Sequence, residues 1–256
     1  MLAARRLMLP LRRHKVVQPE LIIQASQQRL IHSQSASESD ALPEPSSAQH
    51  SDLTSFLDYA RRSGLNSRST VYVGTHYEYT VAAALFRHGF SLQRVGGASD
   101  YGTDLVGTWT LPPFPRPMRV LLQCKAGVQR VGPHHVRELE GAFIGAPVGW
   151  RGHGVLGVLV CERPATRGIR DSLIRSRWPM AFLCCSREGG LSQLLWNRRA
   201  EDEGLQGLGV AVRYAEESAT APELVFTCNG LAVGRKDGHV EASVLLPGGV
   251  EEGSST

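Results

Sequence analysis

Residues 119–127 read RVLLQCKAG, and this stretch decides the fold that the sequence predicts. The apolar run is typical of a buried strand, yet it ends with an amide and an ammonium at Gln123 and Lys125. Because side chains alternate between the faces of a strand, Gln123 and Lys125 share one face, while Leu122 and Cys124 point to the other. The stretch therefore predicts a buried strand with a polar site at its end.

Helical and strand patterns surround this stretch. Apolar residues at helical spacing predict helices in SDLTSFLDYARRSGL (51–65), THYEYTVAAALFRHGF (75–90), GPHHVRELEGAF (132–143) and TRGIRDSLIRSR (166–177). Short apolar or alternating runs predict strands in SLQRVG (91–96), TDLVGTWTL (103–111), HGVLGVLVCE (153–162) and WPMAFLCCS (178–186). Thr75 is the predicted cap of the second helix, which places Glu78 in its first turn.

The order of these elements indicates the fold class. Three successive strands with short links predict a meander, and the helices between the later strands predict crossovers. All-apolar strands such as GVLGVLVC favour a sheet that is covered on both faces. We therefore expect an α/β protein with three α/β/α layers and a central mixed sheet. Beyond residue 200, GLGVAVRY and ELVFTCN predict strands that either extend this sheet or pack as a small appendix.

The termini differ from the core in composition. Residues 1–33 are rich in Arg and Ser and nearly free of acid, which predicts a mitochondrial presequence; a disordered basic arm is the alternative. Residues 34–50 are rich in Pro, Ser and acid and predict a disordered linker. The domain is then expected at 51–200, followed by a C-terminal extension at 201–256 with possible strands and a disordered tail. No run approaches the roughly 18 apolar residues that a membrane-spanning helix needs.

Charge and cysteine content narrow the functional classes. Residues 56–199 carry 19 Lys and Arg against nine Asp and Glu, which suits a polyanionic partner such as nucleic acid, although a solvated Arg-rich surface has the same composition. The five cysteines form no CxxC pair and no zinc-like spacing with histidine. This odd number of cysteines, mostly in apolar runs, favours a reduced compartment over the secretory pathway.

The polar residues that interrupt apolar elements form a constellation. If the second and third strands pair as a hairpin, Asp104 lies close to Gln123. Mg²⁺ takes about six oxygen ligands, and Mn²⁺ is the alternative ion here. We expect ligands from Asp104, the Gln123 amide and the Cys124 carbonyl, with Glu78 bound directly or through water. Lys125 then stabilises the charge that develops on a cleaved phosphodiester.

These residues carry a resemblance. Asp104 after a Gly-rich turn, the QCK of 123–125 and the preceding helix resemble the restriction-endonuclease-like PD-(D/E)XK nuclease superfamily, most closely its Mrr-type branch, where Gln often replaces the acid before X-Lys. GTHYEY (74–79), GGASDYGTDLVGTW (96–109), QCK and GPHHVRELEG (132–141) are similar to the fungal mitochondrial family "required for respiratory growth protein 7". The resemblance covers about residues 70–200 and implies Mg²⁺-dependent DNA hydrolysis with Glu78, Asp104, Gln123 and Lys125 as catalytic residues.

Each of these residues also has a purely structural interpretation. Asp104 is a common turn former, Lys125 is a charge of the kind that protects edge strands, and Gln123 can bond to a sheet edge. Glu78 three residues after Thr75 fits a capping box. His134 opens a helix whose N-terminus can meet a phosphate, and Arg163, Arg167 and Arg170 can follow a nucleic-acid backbone; all four also fit a solvated surface. The stretch WNRR (196–199) has no sequence-based explanation.

Two functional hypotheses follow. The first is a mitochondrial Mg²⁺-dependent nuclease that cleaves or processes DNA and is linked to respiratory growth. The second is a factor that keeps the fold and binds nucleic acid, or assists respiratory assembly, without catalysis. The uncharged Gln123 weakens the case for catalysis, because an amide binds Mg²⁺ more weakly than a carboxylate. The second hypothesis is also open because one fold hosts several functions.

Overall fold

A six-stranded mixed sheet forms the centre of the structure, a computed structural model. The described residues are 45–97, 102–111, 116–127, 131–146, 149–151, 153–213 and 223–233. The sheet contains, in spatial and chain order, β1 (Phe90–Arg94), β2 (Leu105–Trp109), β3 (Met118–Lys125), β4 (Val155–Cys161), β5 (Met180–Cys185) and β6 (Leu191–Trp196). β1, β2 and β3 pair antiparallel, β3, β4 and β5 pair parallel, and β6 returns antiparallel to β5. The predicted meander and crossovers are therefore confirmed.

Helices cover both faces of the sheet. They are α1 (Leu53–Ser63), α2 (Thr70–Phe86), α3 (Pro133–Gly145), α4 (Arg167–Arg175) and the short α5 (Arg198–Ala200). On one face, α2 contributes Val81 and Leu85 to a core that includes Leu122 of β3. On the other face, Leu139 of α3 and Ile169 of α4 pack in a second core. The three-layer α/β/α architecture is confirmed.

The strands beyond residue 200 form a separate sheet of three strands. β7 (Leu208–Arg213) pairs with β8 (Glu223–Cys228), and β8 pairs with β9 (Leu231–Ala232). Leu208, Leu224 and Phe226 join the core on the α2 face. The second of the two predicted alternatives, an appended sheet, is therefore observed, and Leu208, Leu224 and Phe226 bury it against the main domain.

The start of α2 differs from the prediction. The helix begins at Thr70, five residues before Thr75, because Ser69 is extended and its Oγ accepts the Tyr72 N–H at 3.2 Å. Thr75 is buried in the second turn, so its assignment as a cap was wrong. Glu78 lies two turns into the helix, which removes the capping-box explanation for its carboxylate.

The predicted N-terminal segments lie mostly outside the described residues, so the presequence and most of the linker stay predictions. The last residues of the linker are described and contact the domain. The Ser46 N–H donates to the Arg94 carbonyl at 3.2 Å. The His50 ring packs edge-on against Phe56 and Tyr79. Within the part of the chain that is described, no helix has both the length and the apolar character to cross a membrane.

The stretch 196–199 receives a structural explanation. Asn197 is only 4% exposed. Its Oδ1 accepts the backbone N–H groups of Met180 and Ala200 at 3.2 and 3.0 Å. Its Nδ2 donates to the carbonyls of Leu173 and Trp178 at 3.0 and 2.8 Å. One buried amide thus joins the end of β6 to the start of β5 and the end of α4.

The strand β6 was not predicted from the sequence, and the Asn197 hydrogen bonds hold its end in place. Its residues LSQLLW include two polar side chains, and its position is fixed by pairing with β5, where Trp196 lies opposite Ala181. Gln193 of this strand accepts the Ala165 N–H through Oε1 at 2.8 Å.

The substitution Asn197→Ala is expected to lower the free energy of unfolding by about 2–4 kcal/mol, because it leaves buried N–H and C=O groups without partners. Urea denaturation measures the change. Asn66→Ala is the matched control, since Asn66 is exposed and caps only the Arg68 N–H; its expected cost is below about 1 kcal/mol. Equal, small effects in both variants would contradict the role assigned to Asn197.

Candidate functional site

The end of the β2–β3 ladder brings Asp104 beside Gln123. Leu105 is paired with Leu122, so Asp104 lies at the next position, opposite Gln123. The Asp104 N–H donates to the Leu122 carbonyl at 2.9 Å, and the Asp104 Oδ2 accepts the Cys124 N–H at 2.6 Å. The carboxylate predicted from the sequence is therefore fixed at the start of β2 by the backbone of β3.

The side chain of Gln123 is buried and only 4% exposed. Its Oε1 has no hydrogen-bond partner among the described residues. A Cβ atom at Gly102, where φ is +81°, would lie 3.1 Å from the Gln123 Nε2, so a glycine at this turn leaves room for the amide. A buried amide oxygen without a partner is costly, and it fits a site that a cation or a donor completes.

Gln123 opens into a cleft between the sheet and α3. The cleft has a volume of about 810 Å³. Its lining includes Gly102 at the turn before β2, Glu138 and Gly141 on α3, and Arg151. Gln123 and Lys125 both face α3, whereas Leu122 and Cys124 face α2, as the two-residue period predicts.

Lys125 is paired with an acid that the sequence analysis did not identify. Its Nζ lies 3.0 Å from the Glu138 Oε2, and the two side chains are 30% and 46% exposed. Burial alone would raise the pKa of the Glu138 carboxyl. The hydrogen bond and charge of Lys125, with smaller contributions from His135 and His134, instead hold this pKa below its ordinary value. The ammonium next to the cleft is therefore neutralised by α3.

Glu78 is also paired. Its carboxylate accepts a hydrogen bond from the Arg94 Nε, and the pair is largely buried. Burial raises the pKa of the Cys124 thiol, and the charges of Asp104 and then Glu78 raise it further. Both carboxylates thus lie within electrostatic reach of Cys124, and the Arg94 hydrogen bond occupies the Oε2 of Glu78.

The first turns of α3 carry a further group of potential ligands. His134, His135 and Glu138 offer atoms that all lie within 4.8 Å of one another. The His135 Nδ1 accepts the Gly132 N–H at 3.1 Å, so a metal at this nitrogen must displace the bond that caps the helix. Burial lowers the pKa of His135, and the charge of His134 lowers it further. The spacing His-His-x-x-Glu, which places these residues within one turn, is the sequence signal that could have identified the group.

The predicted nucleic-acid contacts lie partly at the same edge of the sheet. The N-terminal turns of α3 and α4 touch, since a Cβ atom at Gly168 would lie 2.9 Å from the Pro133 Cγ. His134 and Arg167 therefore belong to neighbouring helix starts. Arg163, Arg167 and Arg170 are exposed, and the Arg167 Nε lies 3.8 Å from the Asp171 carboxylate.

The Lys125–Glu138 pair makes a pH-dependent prediction. Because the pKa of Glu138 is lowered in the folded chain, the pair stabilises the fold fully above about pH 4.5, the ordinary pKa of glutamate, and loses this contribution as the pH falls through the lowered pKa. In Lys125→Met, the pKa of Glu138 is expected to rise. A carboxyl NMR titration measures it. Arg137→Met, which removes an exposed neighbouring charge on α3, is the control; the same shift in both variants would contradict the pairing.

Comparisons with known proteins agree with the resemblance to the family "required for respiratory growth protein 7". A mitochondrial protein of Schizosaccharomyces pombe, named as uncharacterised, is 34% identical over 158 residues, which cover 60% of this chain and 62% of that protein. The protein of Eremothecium gossypii named "Required for respiratory growth protein 7, mitochondrial" is 35% identical over 123 residues, which cover 34% of this chain and 51% of that protein. The chain thus matches between half and two thirds of the length of these relatives. No solved structure matches significantly.

The location and the family follow from these matches. Both relatives are named as mitochondrial proteins, which confirms the predicted mitochondrial location. The family model described as "Required for respiratory growth protein 7" matches residues 69–214, more than half of the 256 residues. The chain belongs to the family described as "Required for respiratory growth protein 7".

Proposed function

We propose that the chain is a metal-dependent nuclease of the restriction-endonuclease-like PD-(D/E)XK superfamily, in its Mrr-type branch, and that it cleaves or processes DNA in support of respiratory growth. One observation carries the proposal. Asp104 lies opposite Gln123 in the β2–β3 register, and Lys125 follows on the same face beside the cleft. A carboxylate and an amide oxygen on adjacent strands can bind a divalent cation, and a nearby ammonium can stabilise the charge that develops on a phosphodiester.

The donor set fits a hard divalent cation. The Gln123 Oε1 is buried and has no partner among the described residues, and a cation would satisfy it. Asp104 is a proposed ligand through its carboxylate, whose Oδ2 also accepts the Cys124 N–H, and the Cys124 main-chain carbonyl is the third proposed ligand. When bound, Mg²⁺ or Mn²⁺ supplies Lewis-acid polarisation of phosphate oxygens. Glu78 is proposed to assist through its negative charge while Arg94 holds it in place.

Lys125 is the proposed source of positive charge for the developing phosphorane. Its Nζ now points to Glu138, and a substrate phosphate has to compete with this carboxylate for the ammonium. The remaining contacts are proposed to be electrostatic. His134, Arg163, Arg167 and Arg170 are exposed and are assigned to phosphate groups of the substrate backbone.

A specific observation favours a second candidate, a non-catalytic nucleic-acid-binding or respiratory-assembly factor that retains the fold. The charged groups of the constellation already have partners within the protein: Cys124 for Asp104, Arg94 for Glu78 and Glu138 for Lys125. Gln123 adds no charge of its own. A site whose charges are already paired is more stable without a metal than a site with two unpaired carboxylates, because like charges at short distance repel.

The catalytic proposal predicts DNA cleavage by the purified full chain with Mg²⁺ or Mn²⁺ and no cleavage in chelator. Lys125→Ala and Asp104→Asn are each expected to lower the cleavage rate at least about a hundredfold, because each removes charge at the phosphate or its metal. Asp58→Asn, which removes an exposed carboxylate on α1, is the charge-matched control. If Lys125→Ala cleaves DNA at the rate of the natural chain, the proposed mechanism is wrong. Nucleic-acid binding without cleavage would favour the second candidate.

Gln123→Leu tests the cation ligand separately from activity. In chelator, this variant is expected to be about 1–2 kcal/mol more stable than the natural chain, because it removes a buried acceptor without a partner. Added Mg²⁺ is expected to stabilise the natural chain but not the variant. Urea denaturation with and without Mg²⁺ measures both effects. A less stable Gln123→Leu in chelator, together with an equal response of both chains to Mg²⁺, would remove Gln123 from the proposed site.

A further inference from the structure

A second concave surface lies at the opposite edge of the sheet. It is a cleft of about 510 Å³, lined by Arg175, Arg177, Arg198 and Arg199 together with Ile174, Ser176 and Asp202; we call it the arginine cleft. These residues lie beside the first residue of β5, Met180, whereas Lys125 ends the parallel strand β3. A strand as long as β5 spans about 20 Å. The arginine cleft and the candidate metal site lie at opposite ends of the parallel strands, so they are distinct.

Ser176 anchors one side of the arginine cleft. It is buried, and its N–H donates to the carbonyls of Ser172 and Leu173 at 3.1 and 3.2 Å, which ends α4. Its Oγ donates to the Glu140 Oε1 at 2.6 Å. Because Ser176 is held on both its backbone and its side chain, the arginines that flank it at 175 and 177 start from fixed positions at the cleft.

Asn197 anchors the other side. Its side-chain amide holds the carbonyls of Leu173 and Trp178, which belong to the segment that carries the first pair of arginines. Its Oδ1 accepts the Ala200 N–H and starts the turn that carries Arg198 and Arg199. The two pairs of arginines are therefore joined through one buried residue, so the cleft is organised before any partner binds.

The charges in this cleft are unbalanced. Arg198 is shared between Glu201 at 3.7 Å and Asp202 at 3.4 Å. Within the described ranges, no carboxylate forms an ion pair with the other three arginines of the cleft. Several guanidinium groups around one concavity repel one another, and a bound polyanion removes this repulsion.

We propose that the arginine cleft is a phosphate-backbone binding site for nucleic acid, separate from the candidate metal site. Planar guanidinium groups bind phosphate oxygens in pairs, and two held pairs suit successive phosphates of one strand. A membrane surface fits less well, because membrane binding needs a broad apolar face. The arginines line a recess, and Ile174 is the single apolar residue among the described residues that line it. The proposal rests on the proposed function for the choice of nucleic acid as the polyanion. It does not depend on DNA cleavage.

The test measures binding of the purified full chain to a fluorescein-labelled DNA of about 20 nucleotides, single-stranded and as a duplex, which is long enough to reach both edges of the sheet. Fluorescence anisotropy over a series of salt concentrations gives the dissociation constant and its salt dependence. Arg177→Gln with Arg199→Gln is expected to weaken binding about tenfold and to reduce the slope of log K against log salt by about 2, since each phosphate contact contributes about 1.

Two matched variants serve as controls. Arg61→Gln with Arg62→Gln removes two exposed arginines from the last turn of α1, and its affinity and slope are expected to equal those of the natural chain. Arg177→Lys with Arg199→Lys keeps the charge, and the slope is expected to return. Urea denaturation of all variants confirms that the fold is intact.

The outcomes separate this proposal from the proposed function. If the natural chain and the Arg177→Gln, Arg199→Gln variant bind DNA with the same affinity and slope, the arginine cleft is not the binding site, whatever the cleavage assay shows. If the variant loses binding but the natural chain never cleaves DNA, the cleft stands and the nuclease proposal fails. Binding to phosphatidylcholine vesicles that contain cardiolipin, with no DNA binding, would overturn the cleft proposal in favour of a membrane surface.

Discussion

The antiparallel register between β2 and β3 is the constraint on which the candidate site depends. With Leu105 opposite Leu122, Asp104 lies opposite Gln123, and its carboxylate receives the Cys124 N–H. A shift of one residue would turn Lys125 into the core on the α2 face and bring Leu122 to the cleft. Such a shift is unfavourable, because it would carry the Lys125 ammonium toward the apolar core that Leu122 occupies. The hydrophobic core thus fixes the polar site.

Electrostatic pairing then sets the resting state of this site. Glu78 is held by Arg94 and Lys125 by Glu138, so this carboxylate and this ammonium are neutralised by neighbouring elements. Gln123 is different, since its buried oxygen has no partner among the described residues. A buried acceptor of this kind is costly unless a water, a donor or a cation completes it. The paired charges favour the non-catalytic candidate, and the Gln123 oxygen favours the candidate that binds a cation.

Basic residues occupy two opposite edges of the same sheet. At the carboxyl ends of the parallel strands, the start of α3 approaches the start of α4, and Arg167 lies near His134. At the other edge, Ser176 and Asn197 hold two pairs of arginines around the arginine cleft. Since α4 connects β4 to β5, it runs from one edge to the other. Under the two binding proposals, one polyanion would lie along the α4 side of the domain.

The sequence by itself determined the elements of the main domain except β6 and the short α5, the three layers, and the shared face of Gln123 and Lys125, because periodicity records which side chains are buried. It misplaced the start of α2, where Ser69 and not Thr75 caps the helix. Only the tertiary structure decided the partners of the charged residues and the role of Asn197. The reason is physical: periodicity gives the face on which a side chain lies, whereas an ion pair or a buried amide depends on distances between segments far apart in the chain, which packing alone sets.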